Sequence, residues 1–230
     1  MIFSGFYYLA LFITFAQMIS NEVRTKLQNI IGGARLERTE DRCSTIRDFL
    51  IESFGTGPTA KSEFESRAVS KEKQDQFLRS YAKKNHLWLE SLPAGSEYLT
   101  KGGESQIYLA ADSRDVIKVN DAVYYATWVE CFTSLVIHNL LFPNTTYAIV
   151  GFMENNGALG IVLQQPFIEG EQASLEDIDE LLTFNGFKNI KRQDYYNEEF
   201  GLLLEDMHDE NVIAREKLLF FIDTVFYVME

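Results

Sequence analysis

The stretch from Leu202 to Asp223, LLLEDMHDENVIAREKLLFFID, limits the possible folds more than any other part of the chain. Apolar, β-prone runs flank a knot of Glu205, Asp206, His208, Asp209, Glu210 and Asn211. A hairpin needs only a short turn, and Asn-Gly or Asp-Gly would close one without crowding like charges. So many acids and amides between strands ask for a ligand, most simply a cation.

With 230 residues, 46% of them hydrophobic and 24% charged, the chain can bury a real core and reads as one main domain with extensions. The net charge of −13 is uneven: residues 99–230 hold 8 Lys/Arg against 22 Asp/Glu, whereas residues 1–98 hold 13 against 12. That acidity repels phosphate backbones, so nucleic acid is not the expected partner. Cys43 and Cys131 match no metal-ligand spacing and suit a reducing compartment better than a disulfide scaffold.

Residues 2–20, IFSGFYYLALFITFAQMIS, carry no charged side chain and approach the roughly 20 residues that span a bilayer. Three readings stay open. As a membrane anchor, followed by Arg24 and Lys26, the run would leave the rest of the chain cytoplasmic and tethered to the inner face of the membrane. It would otherwise be a buried helix or a mistaken upstream start. A cleaved signal is the third reading, although the usual basic leader and small-residue cleavage site are missing.

Residues 21–74 read as a helical extension or linker and residues 75–230 as a compact domain. In the extension, Ile46, Phe49, Leu50 and Phe54 recur at three and four, predicting a helix over Ser44–Phe54. A second helix is expected over Ser70–Trp88, ended before Pro93-Ala94-Gly95. From Tyr98 the texture changes. YLTKGGESQIYLA reads as strand, glycine turn, strand, with DVIKV as a third strand; Asn120 or Asp121 then caps a helix running to about Leu141. YAIVGFM and ALGIVLQQPF follow as strands joined by Glu154-Asn155-Asn156-Gly157. Ser174-x-x-Asp177 opens a short helix that Asn185-Gly186 closes. The class is α+β, with antiparallel strands and one long helix.

This order sets Lys118 on a third strand after a glycine turn, and two acids and an Asn late in the chain. It resembles the protein kinase-like fold. Asp206, four residues and Asn211 keep the D-x-x-x-x-N catalytic-loop spacing, and Asp223 stands where the metal-binding Asp of D-F-G would be. More narrowly, GGES-x-x-Y, VIKVN, HNLLFPNTTYAIVGF, QQPF and DMHDENV resemble the kinase domain found in polyvalent proteins of phages and mobile elements. That resemblance covers roughly residues 75–228. It implies an antiparallel N-lobe sheet with one long helix, a truncated C-lobe, and ATP with Mg²⁺ as cofactors.

The resemblance also implies roles. Asn211 and Asp223 would offer hard oxygen ligands to Mg²⁺, and Asp206 would accept the proton of an attacking hydroxyl. Lys118 would meet the phosphates, with Glu130 on the long helix as its partner. Gly102 and Gly103 would let a backbone turn approach the phosphates, Ser105 would add a donor, and Gln165, in Gln164-Gln165-Pro166-Phe167, would lie at the hinge beside the adenine.

Taken singly these residues have plainer readings. A glycine pair is usually a turn, and a strand lysine commonly points into solvent. Glu130, among Val129, Phe132 and Leu135, belongs either on an exposed stripe with Thr127 and Ser134 or beside a cation. His208 is expected to brace its loop; His86 and His138 have no evident partners in the sequence. The chain also departs from the kinase pattern: one Gly pair replaces G-x-G-x-x-G, Asp223-Thr224-Val225 replaces D-F-G, and seven residues follow Asp223. The expected function is ATP-dependent phosphoryl transfer to a protein or small-molecule acceptor. The alternatives are a silent nucleotide-binding module and a membrane-anchored interaction protein, the last of which would scatter these residues over unrelated surfaces.

Overall fold

The computed structural model describes residues 19–36, 41–54, 64–103 and 105–229. The apolar run 2–20 therefore lies almost wholly outside the described residues, as does Glu104. No described helix is long and apolar enough to cross a membrane.

The chain divides into two units, one of residues 35–136 and 146–167, the other of residues 1–34, 137–145 and 168–230. The first is built on a five-stranded antiparallel sheet of β1 (Glu97–Lys101), β2 (Ser105–Leu109), β3 (Asp115–Asn120), β4 (Ala148–Asn155) and β5 (Ala158–Pro166), in the order β1-β2-β3-β5-β4. β3 lies in the middle, and DVIKVN is accordingly buried on both faces from Val116 on. The Asn156-Gly157 turn joins β4 to β5, as the sequence predicts.

Three described helices precede the sheet in the chain. α1 (Asn21–Ile31), capped by Ser20, belongs to the other unit and buries Leu27 and Ile30 there. α2 (Arg42–Phe54) buries Cys43, Ile46, Arg47 and Leu50, close to the expected Ser44–Phe54. α3 (Phe64–Lys84) starts earlier and stops sooner than the expected Ser70–Trp88. Trp88 instead bridges Phe152, with Leu87 and Leu89 bonding the Phe152 backbone at 2.8 and 2.7 Å.

The long helix α4 (Trp128–Leu141) begins six or seven residues later than a cap at Asp121 or Asn120 would place it. Their side chains accept from Ala122 N–H (2.6 Å) and Val123 N–H (3.2 Å), closing local turns instead of capping a helix. Thr127 starts the helix by accepting from Glu130 N–H at 3.2 Å. Gln74 of α3 covers two more open donors, Trp128 N–H at 2.7 Å and Val129 N–H at 3.3 Å.

The second unit holds a three-stranded sheet, β11-β10-β6, and a four-stranded sheet, β12-β9-β8-β7. Its strands are β6 (Glu171–Gln172), β7 (Lys188–Lys191), β8 (Asp194–Asn197), β9 (Leu202–Glu205), β10 (Val212–Arg215), β11 (Leu218–Phe221) and β12 (Val225–Val228). α5 (Leu175–Phe184) lies between β6 and β7, with Ser174 and Asn185 as its caps. The acidic knot is not a hairpin turn. β9 pairs with β8 and β12, while β10 pairs with β11 and β6, so the knot carries the chain from one sheet to the other.

Candidate functional site

In the second unit Asp206, His208 and Asp223 gather around one residue, Asn211. Asp206 leaves β9 in the left-handed conformation, φ +62°, which Asp tolerates better than most residues. Its neighbours Leu204 and Met207 are fully buried, and Met207 N–H bonds the Gln193 carbonyl at 2.9 Å. With both flanks anchored, the Asp206 carboxylate turns outward and is 70% exposed.

A short 3₁₀ turn, Asp209–Asn211, then brings Asn211 back onto this loop. Its Nδ2 donates to the Asp206 carbonyl at 2.8 Å and lies 3.3 Å from His208 Nε2. Its own carbonyl accepts from Ile222 N–H at 2.9 Å and Asp223 N–H at 3.4 Å, across the β10–β11 hairpin. The catalytic-loop spacing and the later acid are thereby tied at a single residue. An Asp at 211 would set a carboxylate oxygen against the Asp206 carbonyl, so the amide is required for its donor.

His208 braces this loop, as its sequence position suggests: Nε2 lies 3.5 Å from Asp206 Oδ2, and its carbonyl accepts from Asn211 N–H at 3.0 Å. Beside it, burial pushes the Glu205 carboxyl above its ordinary range, and Asp194 and Asp206 add to the rise. Asp194 also accepts from Asp206 N–H at 3.1 Å.

No group of three or more His, Cys, Asp or Glu among the described residues is arranged to hold a metal alone. Mg²⁺ asks for less: it retains waters and takes one or two protein oxygens together with substrate phosphates. Asn211 fits that demand. Its Nδ2 is spent on the loop, and no hydrogen bond among the described residues uses its Oδ1.

The remaining expected residues lie in the first unit. Lys118 is only 4% exposed, and its Nζ sits 5.3 Å from the centroid of the Tyr147 ring, so it is not the solvent-pointing strand lysine of the plain reading. Gly102 N–H donates to the Ser105 carbonyl at 2.8 Å to close the β1–β2 turn. A methyl group at Gly103 would strike the Tyr124 hydroxyl, whereas one at Gly102 would meet nothing closer than 3.8 Å. Ser105 and Gln165 are both buried, at the start of β2 and late in β5.

Glu130 closes the start of α4: its carboxylate accepts from Ala126 N–H at 2.9 Å while Thr127 accepts from Glu130 N–H, contacts like those of a capping box displaced by one residue. The T-x-x-E signature of Thr127 to Glu130 was present in the sequence, behind the stronger-looking Asn120-Asp121.

Sequence reasoning also passed over His138, which is fully buried and bonded on both ring nitrogens, to Thr224 Oγ1 at 2.7 Å and to the Thr145 carbonyl at 2.8 Å. Nothing in the local sequence announces it, because its partners lie 7 and 86 residues away.

Mixed helices and antiparallel sheets, with a D-x-x-x-x-N loop tied to a later Asp, are features of a kinase-like domain. The model of the serine/threonine/tyrosine kinases found in polyvalent proteins matches residues 71–230, and the chain belongs to that family. No curated protein and no solved structure matches it.

Proposed function

We propose that the chain transfers the terminal phosphoryl group of ATP, with Mg²⁺, to a hydroxyl of a protein or small-molecule acceptor. The observation that carries this reading is the double attachment of Asn211, through Nδ2 to the Asp206 carbonyl and through its own carbonyl to Asp223 N–H. On this reading the loop that carries the proton acceptor and one hard oxygen ligand is bonded to the backbone of the segment that carries the other.

On this reading residues 97–166 supply the N-lobe sheet and helix, and the second unit supplies a shortened C-lobe. The exposed Asp206 carboxylate accepts the acceptor's hydroxyl proton as the new O–P bond forms and the bond to the departing ADP breaks. Asn211 Oδ1 and the Asp223 carboxylate would hold Mg²⁺, which would supply charge neutralisation for the phosphates. Lys118 meets the phosphates as a point charge, Gly102 and Gly103 with Ser105 form the turn over them, and the backbone around Gln165 borders the adenine. Glu130 contributes by fixing the start of α4.

The test is ATP turnover and autophosphorylation by the full chain. Asp206→Ala should cut turnover by about 10²-fold or more with Mg-ATP binding retained, and Asp223→Ala should weaken Mg-ATP binding itself. Wild-type protein that binds Mg-ATP without turning it over would be a silent nucleotide-binding module. One that binds no Mg-ATP would overturn the assignment.

A further inference from the structure

We infer that His138 is the positioning residue for Asp223, acting through Thr224; this rests on the metal-binding role proposed for Asp223. The tautomer follows from the partners. The Thr145 carbonyl can only accept, so Nε2, 2.8 Å away, carries the ring hydrogen. In the neutral ring Nδ1 would then be a lone pair that accepts from the Thr224 hydroxyl, 2.7 Å away. His138 is completely buried and Thr224 is 7% exposed, so little water competes for either bond.

Thr224 directly follows Asp223, and the rest of the segment is gripped as well. Phe221 stacks on Phe142 with centroids 4.3 Å apart and planes 14° from parallel, and Phe226 lies 6.3 Å from the same ring. Ile222 and Asp223 are bonded through their N–H groups to the Asn211 carbonyl. Between Phe221 and Phe226 the backbone is therefore fixed on one side by Asn211 and on the other by His138. The departure from D-F-G acquires a reason: Thr224 substitutes a directed hydrogen bond for aromatic packing. Because the ring also holds Thr145, just past the end of α4, a shift of that end would be passed to the Asp223 backbone.

The experiment compares wild type, Thr224→Val, which keeps the shape and loses the hydroxyl, and Thr224→Ser, which restores it. Calorimetry follows ATP binding over a range of Mg²⁺ concentrations, and ¹⁵N NMR reports the ring tautomer of His138. Thr224→Val should raise the Mg²⁺ needed for half-maximal binding about tenfold, the scale of one lost buried hydrogen bond. ATP binding without metal should be unchanged, and Thr224→Ser should stay within about twofold of wild type. The wild-type ring should carry its hydrogen on Nε2. A folded Thr224→Val protein with wild-type Mg²⁺ dependence overturns the positioning role alone. A wild-type ring protonated on Nδ1 overturns it even if Thr224→Val does not fold. Wild-type protein without metal-dependent nucleotide binding removes the Asp223 assignment first and this inference with it.

Discussion

The ammonium of Lys118 lies 5.3 Å from the centre of the Tyr147 ring, and the carbonyl of the same tyrosine accepts from Cys43 Sγ–H at 3.6 Å. A lysine 4% exposed on a central strand meets a large desolvation penalty. The negative face of an aromatic ring offsets part of it without neutralising the charge.

Tyr147→Leu should therefore lower Mg-ATP affinity by about fivefold, corresponding to a cation–π contribution of about 1 kcal/mol. Tyr147→Phe should stay near wild type, because it keeps the ring that Lys118 meets. Calorimetry on both variants decides it, and equal losses in the two would remove the ring from the account.

Glu205 gives a pH dependence with a definite sign. Its folded-state pKa is raised, first by burial and then by Asp194 and Asp206, so the native state holds this proton more tightly than the unfolded chain does. Its favourable contribution is complete below the ordinary Glu value and is lost as pH rises through the raised one. Glu205→Gln should match wild type in thermal melting near pH 4 and melt higher near neutrality. A constant difference across that range would count against the linkage. Partial exposure keeps the effect small.

Gly151 allows the Leu87–Leu89 segment to lie against β4. A methyl group there would strike the Leu87 carbonyl oxygen and come within 2.8 Å of Leu89 Cγ. The closest atom is backbone, already committed to Phe152 N–H, and cannot swing aside. Gly151→Ala should destabilise the fold by about 1–3 kcal/mol, the usual range for overpacking. Urea unfolding measures it; Gly157→Ala, with open space around it but a positive φ, separates crowding from backbone strain.

Elements specified by their own residues were legible in the sequence. The Asn156-Gly157 hairpin, the Ser174 cap and the apolar run of β3 each follow from local chemistry, and D-x-x-x-x-N carries its spacing openly. The β7–β8 hairpin was not legible. It is polar, and it turns at Arg192 with φ +50° where a Gly or Asn would have announced it. The local part Glu130 plays was hidden because a carboxylate in an apolar helix suggests a cation, while Ala126 N–H, just ahead of the helix, lay within its reach. His138 stayed hidden because its meaning depends on Thr224, a contact that no local periodicity encodes.

The family match starts at residue 71, yet α2 ends at Phe54. Arg42 of α2 donates to the Ile149 carbonyl at 3.0 Å, and Arg47, 1% exposed, reaches Thr133 of α4 at 3.3 Å while paired with Asp48. The portable module is thus larger than the stretch by which it is recognised. A graft cut at residue 71 would carry the backbone of Tyr147 and of Ile149 in β4 without its cover, together with an α4 that had lost Arg47. A graft begun ahead of Arg42 would arrive with its own clamp on the strand that presents Tyr147 to Lys118.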